Sequence, residues 1–151
     1  MTAFVPKFPG WEARVRDSFA RQPAMDLIGA TLGALAPGAV DIELPFDRRI
    51  TQQHGYVHGG VVAMVADSAA GYAGFSLVPE SATVLTVEYK MNFLAPAEGP
   101  LLRARGRALK AGRSLIIVQV DVFNCRGEAA SICATMLQTL MVMHGRADAP
   151  R

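Results

Sequence analysis

The spacing of hydrophobic residues changes along the chain and predicts a definite order of helices and strands. Over about 11–22 the apolar residues recur every fourth position with charged residues between them, which predicts an amphipathic N-terminal helix that Pro23 ends. Residues Met25–Gly29 fit one further helical turn. From Gly38 to Phe46 apolar and acidic residues alternate, as in a strand with one buried face.

The next regular segment, from Gly59 or Gly60 to about Ser76, is apolar on every side. Asp67 is its one charged residue. The β-branched residues at its start also fit a strand, but its length and its alanines favour a helix. A helix without a polar face is buried, so this segment is expected at the centre of the fold.

Four strand-like runs separated by turn residues complete the chain. They are Thr83–Leu94, Leu101–Lys110, Ser114–Asn124 and Glu128–Met143. This order predicts an α+β fold, in which an antiparallel sheet of five or six strands wraps around one long central helix. We expect a single domain over residues 1–151, with a loose polar tail from about residue 146.

Composition adds an expectation about assembly. Of 151 residues, 51% are hydrophobic and 19% are charged, against the roughly 25% that is usual for charged residues. A small chain with so few charges often hides apolar surface in an oligomer interface, so a homo-oligomer is expected. The same numbers exclude a disordered tail, a collagen-like chain and a disulfide scaffold.

Charge and cysteine usage narrow the classes of partner. The net charge of +2 is too mild to predict a nucleic-acid partner, and Arg103, Arg105 and Arg107 alternate as on a solvated strand face. Cys125 and Cys133 form no C-x-x-C pair and lie near no histidine cluster, so no metal site is expected. Two reduced thiols without a visible signal peptide indicate the cytoplasm.

Two uncharged runs, 50–66 and 129–145, could suggest a membrane segment. Both contain several polar residues and fall short of the roughly 20 mostly apolar residues that a spanning helix needs. We therefore expect both runs in the protein core and no membrane partner.

Two features carry candidate chemistry, and the first is the glycine- and histidine-rich loop 54–60. Glycines ahead of a helix let backbone N–H groups approach a ligand, and the positive end of the helix stabilises an anion, either a phosphate or a developing oxyanion. Neither a phosphate-loop nor a dinucleotide-binding motif is present. A flexible turn without function explains the same residues.

The second feature is Asp67, because a carboxylate within an apolar helix is costly unless it is hydrogen-bonded. It is either a satisfied structural residue or a base or nucleophile in a dry pocket. Eight residues separate Gly59 from Asp67, about 12 Å of helix. One chain cannot easily bring its own carboxylate to its own loop amides, whereas two helices packed antiparallel about a two-fold axis could. This geometry predicts an isologous dimer with two shared sites.

The segment Gln53–Gly74, QHGYVHGGVVAMVADSAAGYAG, resembles the signature of hotdog-fold acyl-CoA thioesterases. It is most similar to the phenylacetate-degradation (PaaI-like) branch, in which H-G-G is followed by six residues and then Asp. Leu85–Ala97 resembles the next strand of that family, and Lys110–Ser114 resembles the following hairpin. The resemblance spans roughly 40–143.

The resemblance implies hydrolysis of acyl-CoA thioesters to a free acid and coenzyme A, without metal or cofactor, by a homodimer or a dimer of dimers. Coenzyme A is part of the substrate. The amide of Gly59 would polarise the thioester carbonyl, and His58 would orient the loop or share in the carbonyl contact. Asp67 of the neighbouring subunit would activate water or attack directly.

The resemblance also assigns supporting residues. A hydroxyl that places the water falls at Thr86, although alternation along the strand puts Thr86 with Glu88 and Lys90 on the more polar face. Many members hold the loop with an Asn, and here that position is Gln52, which can make the same contacts from a longer stem.

Substrate binding is assigned to Gly60 and to the hairpin residues Arg113 and Ser114, which would contact the phosphates of coenzyme A. A solvated turn arginine fits equally well. Among other functions, a dehydratase of the same fold would need a histidine followed by Phe-Pro-Gly, which is absent. A non-catalytic acyl-CoA-binding module is the main alternative, but such a module has no use for Asp67.

Overall fold

The computed structural model describes residues 4–146 and residue 148, and within them helices and strands follow the order helix, helix, two strands, helix, four strands. The helices are α1 (Trp11–Ala20), α2 (Pro23–Ile28) and α3 (Gly59–Phe75). The strands are β1 (Thr31–Ala36), β2 (Ala39–Pro45), β3 (Ala82–Phe93), β4 (Leu101–Ala111), β5 (Leu115–Arg126) and β6 (Ala129–His144). None of these helices combines the length and the hydropathy needed to cross a bilayer.

The six strands form one antiparallel sheet in the order β1-β2-β4-β5-β6-β3. Helix α3 packs against one face of this sheet and contacts β2 to β6. The α+β architecture predicted from the sequence, with an antiparallel sheet around one central helix and a helix at the N-terminal end, is therefore confirmed. Strand β3 lies at the open edge of the sheet.

The N-terminal segment differs in detail from the prediction. Helix α1 ends at Ala20, two residues earlier than expected, and Pro23 begins α2 rather than only ending α1. Gly29 ends α2 in the left-handed conformation, with φ +72°. Strand β1 was not located by the sequence pattern, because its residues TLGALA show no regular alternation of polar and apolar positions.

Small side chains let α3 approach the sheet closely. Ala66, Ala69, Ala70 and Ala73 are fully buried. Gly106 of β4 lies under this row, and a Cβ atom there would stand 2.5 Å from the carbonyl oxygen of Ala69. No side chain fits in that gap, so the backbone of α3 rests directly on the backbone of β4. This contact at Ala69 lies two residues after Asp67.

A β-bulge interrupts strand β3. Thr86 pairs with Leu140 of β6, but Glu88 pairs with the adjacent Thr139, so Val87 is one extra residue on the β3 side. Leu140 faces α3 and is buried, whereas Thr139 faces away and donates its hydroxyl hydrogen to Glu88 at 2.9 Å. Thr86 and Glu88 therefore point to opposite faces of the sheet although they are two residues apart.

The placement of Thr86 with Glu88 and Lys90, predicted from strict alternation, is therefore wrong. The extra residue shifts the period-two pattern by one position, so that Thr86 shares the helix-facing side with Tyr89 and Met91 instead. The bulge turns the Thr86 hydroxyl toward α3.

The arginines of β4 lie on the opposite face of the sheet and are paired with acids of β2. Arg103 contacts Glu43 at 2.7 Å, and Asp41 lies 3.3 Å from Arg105 and 2.9 Å from Arg107. The three arginine side chains are partly exposed, as expected for a solvated strand face, whereas Asp41 is buried. The pairing leaves little unbalanced positive charge at this surface.

The predicted loose tail lies mostly outside the described residues. Of its described residues, Asp148 pairs with Arg21 at the end of α1, with 2.8 Å between the carboxylate and the guanidinium group.

Candidate active site

The loop before α3 is folded back on itself by local hydrogen bonds. The N–H of Gln52 donates to the carbonyl of Tyr56 at 2.9 Å, and the N–H of Gly55 donates to the carbonyl of Gln52 at 3.0 Å. Gly55 has φ +84°, a conformation that favours glycine. The side-chain carbonyl of Gln52 accepts the N–H of His54. Gln52 thus makes a loop-holding contact of the kind expected for the family's Asn.

His58 caps the N-terminus of α3. Its Nδ1 accepts the N–H of Gly60 at 2.9 Å, and its own N–H donates to the carbonyl of Ile50 at 2.9 Å. Because Nδ1 is an acceptor, the neutral ring carries its hydrogen on Nε2. The amide of Gly60 is engaged by this bond, whereas within residues 4–146 and 148 the N–H of Gly59 meets no acceptor. Gly59 therefore offers the free amide at the positive end of the helix.

A cavity of about 390 Å³ opens beside Gly59. Its walls include Gln52, Tyr56 and Phe93. The tip of the Phe93 ring would lie 3.1 Å from a Cβ atom at Gly59, and the side chain of Phe93 is 57% exposed. Phe93 therefore lies at the surface over the helix N-terminus.

Asp67 is held by two side chains from different strands. Its Oδ1 accepts a hydrogen bond from the hydroxyl of Thr86 on β3 at 2.7 Å and one from Nε2 of Gln138 on β6 at 2.7 Å. The second hydrogen of the same amide nitrogen points to the Thr86 hydroxyl oxygen at 2.9 Å. The hydroxyl hydrogen of Thr86 is therefore directed to Asp67. In the described part of the chain both of these bonds end on Oδ1, and Oδ2 has no partner.

Gln138 is the residue that the sequence analysis missed. It is fully buried, and its Oε1 has no hydrogen-bond partner among the described residues. Exchanging the oxygen and nitrogen of the amide would set two acceptors 2.7 Å apart at Asp67, so the orientation is fixed by chemistry. A buried unsatisfied carbonyl costs about 1–3 kcal/mol. The signal was present in the sequence, because Gln138 sits in phase with the buried Met136 and Leu140.

A second cavity, of about 200 Å³, lies beside Asp67 between α1, α3 and β3. Two hydrogen-bonded pairs form much of its polar wall: Ser18 with Tyr72, and Ser68 with Gln22, each at 3.3 Å. Burial raises the pKa of the Tyr72 hydroxyl. At neutral pH these four side chains are therefore uncharged, and the acidic residues of the lining are Asp67 and Asp148.

One chain does not bring all the predicted residues together. Gly59 and Asp67 line different cavities. Arg113 and Ser114 are exposed at the β4–β5 hairpin and line neither cavity, and the carbonyl of Arg113 lies 2.9 Å from Nε2 of His144. The structure therefore presents two half-sites along α3, one with amide donors and one with a carboxylate.

The comparisons with known proteins identify the family. The family model described as Thioesterase superfamily matches residues 54–131, which cover both half-sites up to the start of β6. This match takes in more than half of the chain, and the chain belongs to that family. The fold is accordingly the hotdog fold that the sequence resemblance implied.

Individual relatives agree with this assignment. A thioesterase family protein from Silicibacter pomeroyi has a crystal structure that matches 90% of this chain and 100% of its own, with a TM-score of 0.88 and 48% identity. A putative esterase from Haemophilus influenzae is 27% identical over 121 residues, covering 80% of this chain and 86% of its own. The 1,4-dihydroxy-2-naphthoyl-CoA hydrolase of Listeria monocytogenes is 25% identical over 97 residues, 64% of this chain and 79% of its own. The family and these relatives indicate a hydrolase that cleaves thioesters.

Proposed function

We propose that the protein hydrolyses acyl-CoA thioesters to a free acid and coenzyme A, as a member of the PaaI-like branch. The observation that carries this proposal is the state of Asp67. One of its oxygens is held by two donors and the other is free beside a cavity. A purely structural carboxylate would be expected to use both oxygens. The H-G-G motif followed by Asp after six residues supports the branch, and the coenzyme A ester named for the Listeria relative supports the substrate.

The amide end would stabilise the charge that develops on the thioester oxygen. The N–H of Gly59 would donate to the carbonyl oxygen, and Nε2–H of His58 would donate from beside it. Gly60 supports this role by fixing the ring of His58 through Nδ1. The positive end of the helix adds to the stabilisation as the carbonyl becomes an oxyanion.

The carboxylate end would supply the attack on the carbonyl carbon. Oδ2 of Asp67 would take a proton from a water molecule whose oxygen attacks, or would attack directly and be released by water. In either case one water is consumed, the carbon–sulfur bond breaks and the proton reaches the sulfur of coenzyme A. Thr86 gives its hydrogen to Asp67, so it would help to place the water by accepting rather than by donating a hydrogen bond.

We propose further that each complete site forms between two copies of the chain, in a homodimer or a dimer of dimers. Strand β3 is an open edge of 12 residues, and its helix-facing residues Tyr89 and Phe93 are 46% and 57% exposed. Long apolar edges are normally covered. Pairing about a two-fold axis would cover this edge and set the Asp67 of one copy against the Gly59 of the other.

Two expectations from the sequence complete the proposal. Arg113 and Ser114 are exposed and accessible for the phosphates of coenzyme A. The two cysteines are free thiols, which suits the reducing cytoplasm. The chemistry needs no metal or cofactor beyond the substrate.

The test is release of free thiol from acetyl-, butyryl-, octanoyl-, phenylacetyl- and benzoyl-CoA. Burial raises the pKa of Cys133 to about 11, so this thiol adds little background. We expect Asp67→Asn to lose at least about 100-fold in kcat. Asp148→Asn is the matched control, because Asp148 lines the same cavity and is already paired with Arg21; it should remain within a few-fold of wild type.

Equal rates for wild type and Asp67→Asn would contradict the proposed role of the carboxylate. Binding of acyl-CoA by wild type without any thiol release would contradict hydrolysis and favour the non-catalytic binding module.

A further inference from the structure

Gly71 is a glycine that neither packing nor backbone conformation requires. A Cβ atom at Gly71 would meet no atom within 4 Å, whereas one at Gly74 would come within 2.4 Å of the Leu140 side chain. Gly71 also lacks the positive φ that favours glycine elsewhere in the chain. Glycine inside a helix is destabilising relative to alanine. The fold itself therefore gains nothing from the missing side chain.

The space left by Gly71 belongs to the cavity beside Asp67. Gly71 follows Asp67 by four residues, so it lies on the same helix face, about 6 Å further along the axis. Both residues line the cavity of about 200 Å³. A group attached to a carbon beside Asp67 could extend over Gly71 toward Phe75 and Leu140, which line the same cavity.

The charges around this cavity favour the acyl part of a thioester over the coenzyme A part. The charged residues among its lining are Asp67 and Asp148, both acidic. Asp148 is paired with Arg21, so in the described part of the chain Asp67 is the lining carboxylate without a cationic partner. A phosphate-bearing arm would be repelled there, whereas an uncharged acyl group would not. The volume is below the roughly 300–1,000 Å³ of pockets that enclose drug-sized ligands, so it suits a small acyl group.

We infer that Gly71 sets the upper size of the acyl group that the enzyme accepts. This inference rests on the proposed function, because it takes Asp67 as the reacting carboxylate. A Cβ atom at position 71 meets no protein atom within 4 Å, and a longer side chain there would extend into the place of the acyl tail. Substrate choice would then change while the fold and the reacting groups remain as they are.

The experiment compares wild type with Gly71→Ala and Gly71→Leu on acetyl-, butyryl-, octanoyl- and phenylacetyl-CoA. For acetyl-CoA, kcat/KM should stay within about threefold of the wild-type value in both variants. For the best larger substrate of wild type, kcat/KM should fall at least about tenfold in Gly71→Leu, because one methylene in a pocket already changes discrimination by this much. Gly71→Ala should raise Tm by about 1–3 °C. Ala13→Leu places the same leucine side chain at an exposed position of α1 and should change none of these values.

Three outcomes would overturn the inference. They are an unchanged acyl profile in Gly71→Leu, an equal loss on every substrate including acetyl-CoA, and a changed native mass, which would assign position 71 to the subunit contact. Failure of the proposed function is distinct, because wild type itself would then release no coenzyme A. In that case, calorimetric binding of the same esters to the three chains would still test the size limit.

Discussion

The two half-sites along α3 differ in what supplies their polar groups. At the N-terminal end the free donor is the backbone N–H of Gly59, and the side chain of His58 caps the helix. Two turns later the acceptor is a carboxylate, held by Thr86 and Gln138 from two strands. The first end depends on local sequence, and the second depends on contacts between elements that are far apart in the chain.

This difference determines how each half-site can fail. A backbone donor survives most side-chain changes and is lost only when the N–H itself is removed. A carboxylate held by distant partners is sensitive to each partner, even where that partner never meets the substrate.

The largest effect is expected from removing the Gly59 amide hydrogen. Gly59→Pro deletes this donor at the first position of a helix, where proline is tolerated, and His58 already has the ψ of 134° that a following proline favours. Loss of one oxyanion donor should lower kcat by about 10²–10³-fold. Gly59→Ala keeps the N–H and makes the same Cβ contact with Phe93, so it serves as the control. Similar kcat values for the two variants would exclude this amide as the donor.

Mixing variants tests whether the two half-sites meet between subunits. Asp67→Asn and Gly59→Pro chains, mixed in equal amounts and allowed to exchange, should regain about a quarter of wild-type activity. Half of the dimers would be mixed, and each of these would hold one intact site. Activity no greater than the sum of the separate variants, with exchange verified by native mass spectrometry, would contradict the shared site.

A smaller effect is expected from Gln138→Met, which removes the amide from the Asp67 network at similar volume. We expect kcat to fall about 10–100-fold with KM unchanged, because positioning of the carboxylate is lost and substrate contacts are not. Tm should stay level or rise, since the unsatisfied Oε1 is removed as well. Thr86→Val should lower kcat to a similar extent. In the double variant the fold-loss of kcat should be smaller than the product of the two single fold-losses.

The exposed Gln119 of β5 offers a matched control for that substitution, and Gln119→Met should leave kcat unchanged. A fall in Tm of Gln138→Met in parallel with kcat would assign Gln138 a structural role only.

The smallest effect is expected on stability, from Cys133 of β6. The carbonyl of Cys133 accepts the N–H groups of Leu94 and Ala95, and burial raises the pKa of its thiol from 9.0 to about 11. Between these pH values the folded chain keeps a proton that the unfolded chain loses. The free energy of unfolding should therefore fall as pH rises from 9 to 11, by about 2 kcal/mol. Denaturation of Cys133→Ala should show a shallower decline, and an equal slope would contradict this account.

The features that could be predicted from the sequence are those that the local pattern of residues determines. The apolar run with one carboxylate marked α3 and Asp67, and the glycines ahead of it marked the amide end. All five of the strands β2 to β6 were found by alternation or apolar runs, within a few residues of their ends. Strand β1 was missed because polar and apolar residues do not alternate along TLGALA.

Long-range features were beyond that reasoning. The bulge at Val87 depends on pairing with β6, and no residue type in β3 predicts it. Thr86 was therefore assigned to the wrong face although its role as a hydroxyl near Asp67 was anticipated. Gln138 lies 71 residues from Asp67, and only the folded sheet brings them together.

Because Gly106 lies so close to Ala69, the entropy cost of ordering Asp67 arises during folding rather than during catalysis. With helix backbone resting on strand backbone, Asp67 cannot slide or rotate with α3 unless the sheet deforms. Its orientation is settled while the chain folds, long before any substrate arrives. The entropy of immobilising the carboxylate then belongs to folding, and each turnover starts from a group that is already aligned.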